Sequence, residues 1–367
     1  MIEMQAAPPF LRSLQAPRVL MLLYHRISDT DADPQLLSVA PAHFREHLEV
    51  LRQKYRALNC SALDGGKEAF TTNSVVITFD DGYADNLTAA LPILSKYEVP
   101  ATVFISTGMV QHRTPFWWRE VESIIFGAYS LPDKVRLYLS EIREWNLNES
   151  STASKNTSNS QSLNGVSNAL DGWNLLCDHD PGPRYEIYRE VTRFLRGATE
   201  RERARVLDEL RSLAGLKPLD GSNPHVGSHR SAGSNLLSSL CQSLTVDEIV
   251  ELSKSSLIEL GSHTVNHPVL SRLSIAEQTF ELRESKQFLE NVVGHSIDGF
   301  AYPYGTKADY TSETVSIAKQ LSYKYACSNI PEAIWPGTDR FQLPRLLVRD
   351  CDGDYFEKWL SEWFGEC

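Results

Sequence analysis

Two unbroken apolar runs, Val75-Val76-Ile77-Thr78-Phe79 and Ala101-Thr102-Val103-Phe104-Ile105, constrain the fold more than any other feature of the chain. A half-exposed strand alternates apolar with polar residues. A strand covered on both faces reads as a continuous apolar run, the pattern of a parallel sheet sheathed by helices. Val19 through Tyr24 is a third run of this kind. Helical patterns fall between the strands, around 41–55, where Pro41 suits a first turn whose N–H groups are unpaired in any case, and over 85–97. Strand and helix therefore alternate from 19 to 106, which predicts an α/β fold.

The alternation stops near 110 and returns at Thr245. Thr245-Val-Asp-Glu248 and Ser274-Ile-Ala-Glu277 both match a capping box, in which the first side chain accepts a backbone N–H and the fourth reaches back to the first. They predict helices over 246–255 and 275–291, with short strands at 257–260, 297–302 and 325–328. The intervening 111–240 is read as one inserted, mainly helical cap. Its flanks, from Phe116-Trp117-Trp118 to Phe126 and from Tyr185 to Leu213, look helical, and its Ser/Asn-rich stretch, Glu149 to Asn168, lacks the apolar periodicity that would order it. Residues 1–110 and 241–367 form the other domain.

Composition excludes several partners. Lys and Arg number 36 against 47 Asp and Glu, a formal charge of -11, and no basic block marks a nucleic-acid surface. The longest N-terminal apolar run, Val19–Tyr24, is far short of the ~20 residues a bilayer span needs, and it has neither a basic start nor a small-residue cleavage site. A cytoplasmic chain without a transmembrane span is the expectation. Six cysteines (Cys60, Cys177, Cys241, Cys327, Cys351, Cys367) show no CxxC spacing, which fits reduced thiols rather than a zinc ribbon.

The chemistry sits at strand ends. Thr78-Phe79-Asp80-Asp81-Gly82 places two adjacent carboxylates just after a buried strand, and like charges there require a cation beside them, either a metal or an arginine. Gly261-Ser262-His263-Thr264-Val265-Asn266-His267-Pro268 follows another strand, with two histidines four apart. Together they offer a two-His, one-carboxylate set that leaves coordination positions open for water and substrate. The same set serves non-haem iron oxygenases, so the ligands alone fix neither metal nor reaction. A carboxylate left free beside them, Asp80, favours hydrolysis, because it can deprotonate an attacking water. Phe300-Ala301-Tyr302-Pro303-Tyr304-Gly305 is a rigid turn whose backbone N–H groups can face a pocket, and His25, just after the first strand, could protonate a leaving group.

TFDDG, then HTVNHP after ELGS, then FAYPYG, in this order, resemble the first three motifs of the polysaccharide deacetylase family over roughly 19–110 and 245–350. The resemblance implies an irregular (β/α) barrel and removal of an acetyl group from an N-acetylated sugar or saccharide. It also implies a divalent metal, zinc, on Asp81, His263 and His267, with Asp80 as base and the Tyr304 backbone N–H on the oxyanion. Two positions depart from the family pattern. No histidine follows His295, so the late Leu-x-His acid is missing; Tyr24-His25 resembles the N-terminal Tyr-His motif that replaces it in exopolysaccharide deacetylases. Ala301 stands where many members carry an arginine that steadies the base, and Arg345 is the candidate replacement, since its fork can grip a carboxylate through two hydrogen bonds. The fourth, Asp- and Trp-containing motif is not recognisable.

Three other functions compete. A hydrolase of small cyclic amides on the same fold would not need the intact metal triad, and an inactive carbohydrate-binding barrel would be expected to lose the base or a ligand. A retaining glycosidase needs carboxyl groups about 5–5.5 Å apart across a sugar, which adjacent residues rarely provide. Among the aromatics near the motifs (Tyr83, Trp117, Trp118, Tyr302, Tyr304, Trp335), Trp335 is the candidate for stacking on a sugar ring.

Overall fold

A computed structural model describes residues 4–8, 16–30, 32–127, 129–148, 172–216 and 242–366. The Ser/Asn-rich stretch expected to form a loop over 149–168 lies outside them. The chain divides into two compact units, one of Met1–Thr30, Leu36–Gln111 and Gln242–Cys367, the other of Asp31–Gln35 and His112–Cys241.

The first unit is an eight-stranded parallel sheet curled into a partial barrel with helices around it. Its strands are β1 (Val19–Tyr24), β4 (Arg56–Leu58), β5 (Ser74–Phe79), β6 (Ala101–Ile105), β9 (Ile258–Ser262), β10 (Gly299–Ala301), β11 (Tyr325–Cys327) and β12 (Leu346–Leu347). Two-residue strands β2 (Arg26–Ile27) and β3 (Ser38–Val39) pair with each other beside it. The order is β11-β10-β9-β6-β5-β1-β12, with β4 also on β5. One segment pairs with both ends of this path. Leu343 bridges Cys327 on β11, and three residues later Leu346 pairs with Leu22 on β1.

Alternate residues of each strand enter two different cores, which is why the runs are apolar throughout. Leu20, Leu22 and Tyr24, with Val75, Ile77 and Phe79, pack with the helices; Val19, Met21, Val76, Phe104, Ala301 and Cys327 pack with one another in a second cluster. Because every pair is parallel, all strands end at one rim. Tyr24 pairs with Phe79, Phe79 with Val103, Ile105 with Ser262, and Ala301 with Cys327. The residues that follow, His25, Asp80, His263 and Tyr302, therefore start from the same edge. Period-two alternation continues the Val76–Thr78 row to Asp80 and the Val19–Met21 row to His25.

The expected helices are present with shifted ends. The segment expected at 85–97 opens as a π-helical turn, Asn86–Ala90, before α-helix Leu91–Tyr97. Both capping boxes form, at Thr245 and Ser274, and Ser274 starts a helix over Ile275–Val293. The second unit holds helices Trp117–Phe126, Pro183–Arg196 and Glu200–Leu213. It also holds an antiparallel hairpin, β7 (Lys134–Tyr138) with β8 (Ile142–Asn146), which the expectation of a mainly helical cap did not include. Among the described residues no helix is long and apolar enough to cross a membrane.

Candidate active site

The turn after β5 carries both carboxylates. Asp81 (φ 75°) and Gly82 (φ 76°) are consecutive left-handed residues, so the chain reverses at once and leaves Asp80 and Asp81 at the rim. A Cβ on Gly82 would stand 2.9 Å from Ile105 Cγ2, so glycine is required by space as well as by backbone conformation. Left-handed non-glycine residues recur in the neighbouring turns at Thr264 (φ 66°), His267 (φ 51°) and Tyr304 (φ 60°). Strain of this kind gathers where a turn must aim particular groups.

The two carboxylates have opposite environments. Asp80 accepts from both ends of the Arg345 fork, Nη1 to Oδ1 at 2.6 Å and Nη2 to Oδ2 at 2.7 Å. Arg345 is wholly buried, and its Nε donates to the Ser328 carbonyl at 2.9 Å. Burial alone would raise the pKa of Asp80, but the charges of Arg345 and His263 outweigh it and hold the carboxyl below its usual range. For Asp81, burial and then the charge of Asp80 drive the pKa well up, with Arg345 opposing. Environments that push two neighbouring carboxyls apart assign them different work.

Asp81 Oδ1 is buried and has no hydrogen-bond partner. It faces His267 Nε2 at 3.4 Å and His263 Nε2 at 3.6 Å. The donor atoms of Asp81, His263 and His267 lie within 4.8 Å of one another, a group that could hold a metal ion. Ligands about 2.0–2.1 Å from a tetrahedral zinc stand about 3.3 Å apart, so these separations suit an ion placed between them better than direct hydrogen bonds. His263 Nδ1 lies 2.8 Å from the Ala301 carbonyl, and donation there leaves the Nε2 lone pair directed at Asp81. Burial lowers the His263 pKa, which also keeps that lone pair available.

The protein carries the sequence signature of a known family in just this region. The model for polysaccharide deacetylases matches residues 67–141 and 225–326. The chain carries a polysaccharide deacetylase domain over these residues. Over 126 residues it is 29% identical to poly-beta-1,6-N-acetyl-D-glucosamine N-deacetylase of Staphylococcus aureus (strain MRSA252), covering 32% of this chain and 41% of that protein. It thus spans about two fifths of the curated relatives it matches. Its fold is similar to that of Streptococcus pyogenes deacetylase PplD in complex with acetate, at 18% identity and TM-score 0.53 over 95% of this chain and 99% of that one. IcaB from Ammonifex degensii is similar at 15% identity and TM-score 0.52, over 94% and 97%. Asp80, Asp81, His263, His267 and Tyr304 fall inside the deacetylase match, whereas His25 and Arg345 fall outside it.

The rim brings most of the expected residues together. His25 is half-buried, its Nδ1 is enclosed without a hydrogen-bond partner, and Asp80, Arg345 and His263 act on its charge. Burial lowers its pKa to about 4, with Asp80 opposing. The Tyr304 ring stands edge-on to His267, centroids 4.7 Å apart. Trp335 sits elsewhere: its neighbour Ile334 bridges Val19, which begins β1, and the Arg18 guanidinium covers its ring at 4.7 Å. That is the opposite end of a six-residue strand from His25, about 17 Å away in rise. Tyr302 is core, stacked on Tyr310 and donating to the Phe341 carbonyl at 2.8 Å. Trp117 and Trp118 are buried and pack edge to face. Glu281, missed from the sequence, reaches the His263–His267 turn from the helix Ile275–Val293.

Proposed function

We propose that this chain is a metal-dependent hydrolase that removes an acetyl group from an N-acetylated sugar or saccharide. The observation that carries the reading is the buried, unpartnered Asp81 Oδ1 facing two imidazole nitrogens, next to an ionised carboxylate fixed by a buried arginine. Asp81, His263 and His267 are the ligands, and the donor set of two imidazoles and one carboxylate suits zinc. When bound there, the ion polarises the acyl carbonyl and acidifies water.

The chain's own residues do the rest. Asp80, ionised and held by Arg345, takes a proton from the attacking water, a role typically contributing 10²–10⁴-fold, as an order of magnitude. The Tyr304 turn aims a backbone N–H at the oxyanion of the tetrahedral intermediate. His25 is neutral at rest, so it donates to the departing amine only after receiving the proton that Asp80 removed. Water thus supplies the proton that ends on the nitrogen, and acetate leaves. The substrate class follows the N-acetylglucosamine polymer in the relatives' names.

Acetate release from a panel of N- and O-acetylated sugars, with chelator and with zinc restored, tests this reading. Release confined to N-acetylated sugars and abolished by chelator is expected. No release from any member would sink it.

A further inference from the structure

The turn that carries both candidate histidine ligands has an unusual polypeptide conformation. Thr264 and His267 are left-handed, and each such residue costs roughly 1–3 kcal/mol unless its surroundings impose it. Its carbonyls are held from one side. Ser106 Oγ donates to His263 O at 3.1 Å, Thr107 N to Thr264 O at 3.1 Å, and Gly108 N to Val265 O at 2.8 Å. A Cβ on Gly108 would stand 2.7 Å from the Val265 carbonyl oxygen, so the backbone approaches closely on this side.

The Val265 and Asn266 N–H groups face the helix Ile275–Val293. A left-handed residue between ordinary ones turns successive N–H groups to the same side and forms a concave site for an anion. Glu281 supplies that anion from within the protein. Its Oε2 accepts from Val265 N at 2.8 Å and Asn266 N at 2.9 Å, and its Oε1 from Asn266 Nδ2 at 2.9 Å. The carboxylate is 6% exposed, and charge-assisted bonds in such a place are about twice as strong as neutral ones. The same helix face is polar where a core face is ordinarily apolar: Ser285 pairs with Ser262 at 2.8 Å, and Gln278 donates to the Leu273 carbonyl at 2.9 Å.

We propose that Glu281 is a positioning residue that sets the separation of His263 and His267 by clamping the backbone between them. The inference rests on the proposed ligand role of those histidines. Partners one step behind a metal ligand typically change metal affinity by about 10–100-fold when replaced. Glu281→Gln keeps the shape but removes the charge, and with its one oxygen on the two backbone N–H groups it sets its own NH2 against Asn266 Nδ2, donor against donor.

The test titrates zinc into chelator-stripped full-length protein by calorimetry. Cobalt absorption is recorded alongside, and hydrogen exchange of the Val265 and Asn266 amides is followed without metal. Glu281→Gln is expected to bind zinc about 10–100-fold more weakly, shift the cobalt bands and exchange both amides faster. Glu281→Asp, which keeps the charge, is expected to recover part of the affinity and serves if the glutamine variant does not fold. Gln278→Ala, on the same helix face, is expected to keep wild-type affinity. Wild-type affinity and protection in Glu281→Gln would overturn the proposal. A wild-type chain that binds no zinc would instead overturn the metal reading, and the amide exchange would still decide whether Glu281 holds the turn.

Discussion

Among the described residues, each unit of this chain buries an arginine fork on a carboxylate, and the two forks end differently. In the second unit Arg211 grips Glu120, with Nη2 to Oε2 at 2.7 Å, and also reaches Asp208, whose side chain is 50% exposed. Every charge there has a protein partner or water. In the barrel unit Arg345 grips Asp80 just as tightly, but the adjoining carboxylate, Asp81, is 2% exposed and keeps a buried oxygen with no hydrogen bond. A buried ion pair is an ordinary structural device; a second buried carboxyl beside it with an oxygen that makes no hydrogen bond is not. That remainder separates a candidate reaction centre from a strut.

The largest expected effect comes from removing the remainder. Asp81→Ala is expected to lose stoichiometric metal, read by elemental analysis, and to drop acetate release by about 10³-fold or more, since metal polarisation contributes several kcal/mol and each decade is ~1.4 kcal/mol. Asp208→Ala, the corresponding change at the other fork, is expected to alter stability by ~1 kcal/mol at most, because an exposed ion pair is worth little. Unchanged metal content in Asp81→Ala would remove it from the ligand set.

Next come the forks themselves. Arg345→Met and Arg211→Met each strand a buried carboxylate and are expected to cost about 3–5 kcal/mol in denaturant melts. Adding Glu120→Leu to Arg211→Met is expected to restore most of that stability, because apolar packing can replace a structural ion pair. Removing Asp80 along with Arg345 restores stability only, leaving turnover down by at least about 10²-fold through loss of the base. Recovered turnover in the Asp80/Arg345 double variant would make this fork a strut too.

The sequence exposed the rim more fully than what supports it. Continuous apolar runs disclosed β1, β5 and β6, and parallel strands carry the residues after them to one edge, so Asp80, Asp81 and the histidine pair could be grouped before any coordinates. The hairpin Lys134–Tyr138 and Ile142–Asn146 was hidden because it buries only Val135, Leu137 and Trp145 while two hydrophobic residues, Tyr138 and Ile142, stand at exposed positions. β12 is two residues long, too short for any periodicity, although it closes the path of the sheet. Glu281 lies in a helix that also carries Glu277, Arg283, Glu284, Lys286 and Glu290, and no pattern distinguishes the one that reaches the histidine turn. Trp335, grouped with the aromatics near the motifs, lies beside the start of β1 instead, because nearness in sequence says nothing about which end of the barrel a loop caps.

The smallest expected effect concerns acid, to which a buried histidine of the barrel unit and a buried glutamate of the second unit respond with opposite sign. His47 in the barrel unit is fully buried between Tyr24 Oη, 3.2 Å from Nδ1, and the Cys351 carbonyl, 2.8 Å from Nε2, and burial lowers its pKa to about 4. The unfolded chain holds a histidine near 6.5, so between pH 6.5 and 4 the unfolded state binds more protons and stability falls as acid is added. A shift of that size corresponds to at most about 3 kcal/mol. Glu120 in the second unit is shifted the other way: burial raises its pKa, with Arg211 opposing, so there the folded state binds the extra proton and acid favours folding. Hydrogen exchange followed from pH 7 to pH 4 is expected to show protection fading first around His47 while the helix Trp117–Phe126 holds. His47→Gln removes the titrating group and is expected to flatten the barrel's acid slope, whatever it costs at neutral pH. An unchanged slope would mean that the barrel's acid sensitivity arises from other groups.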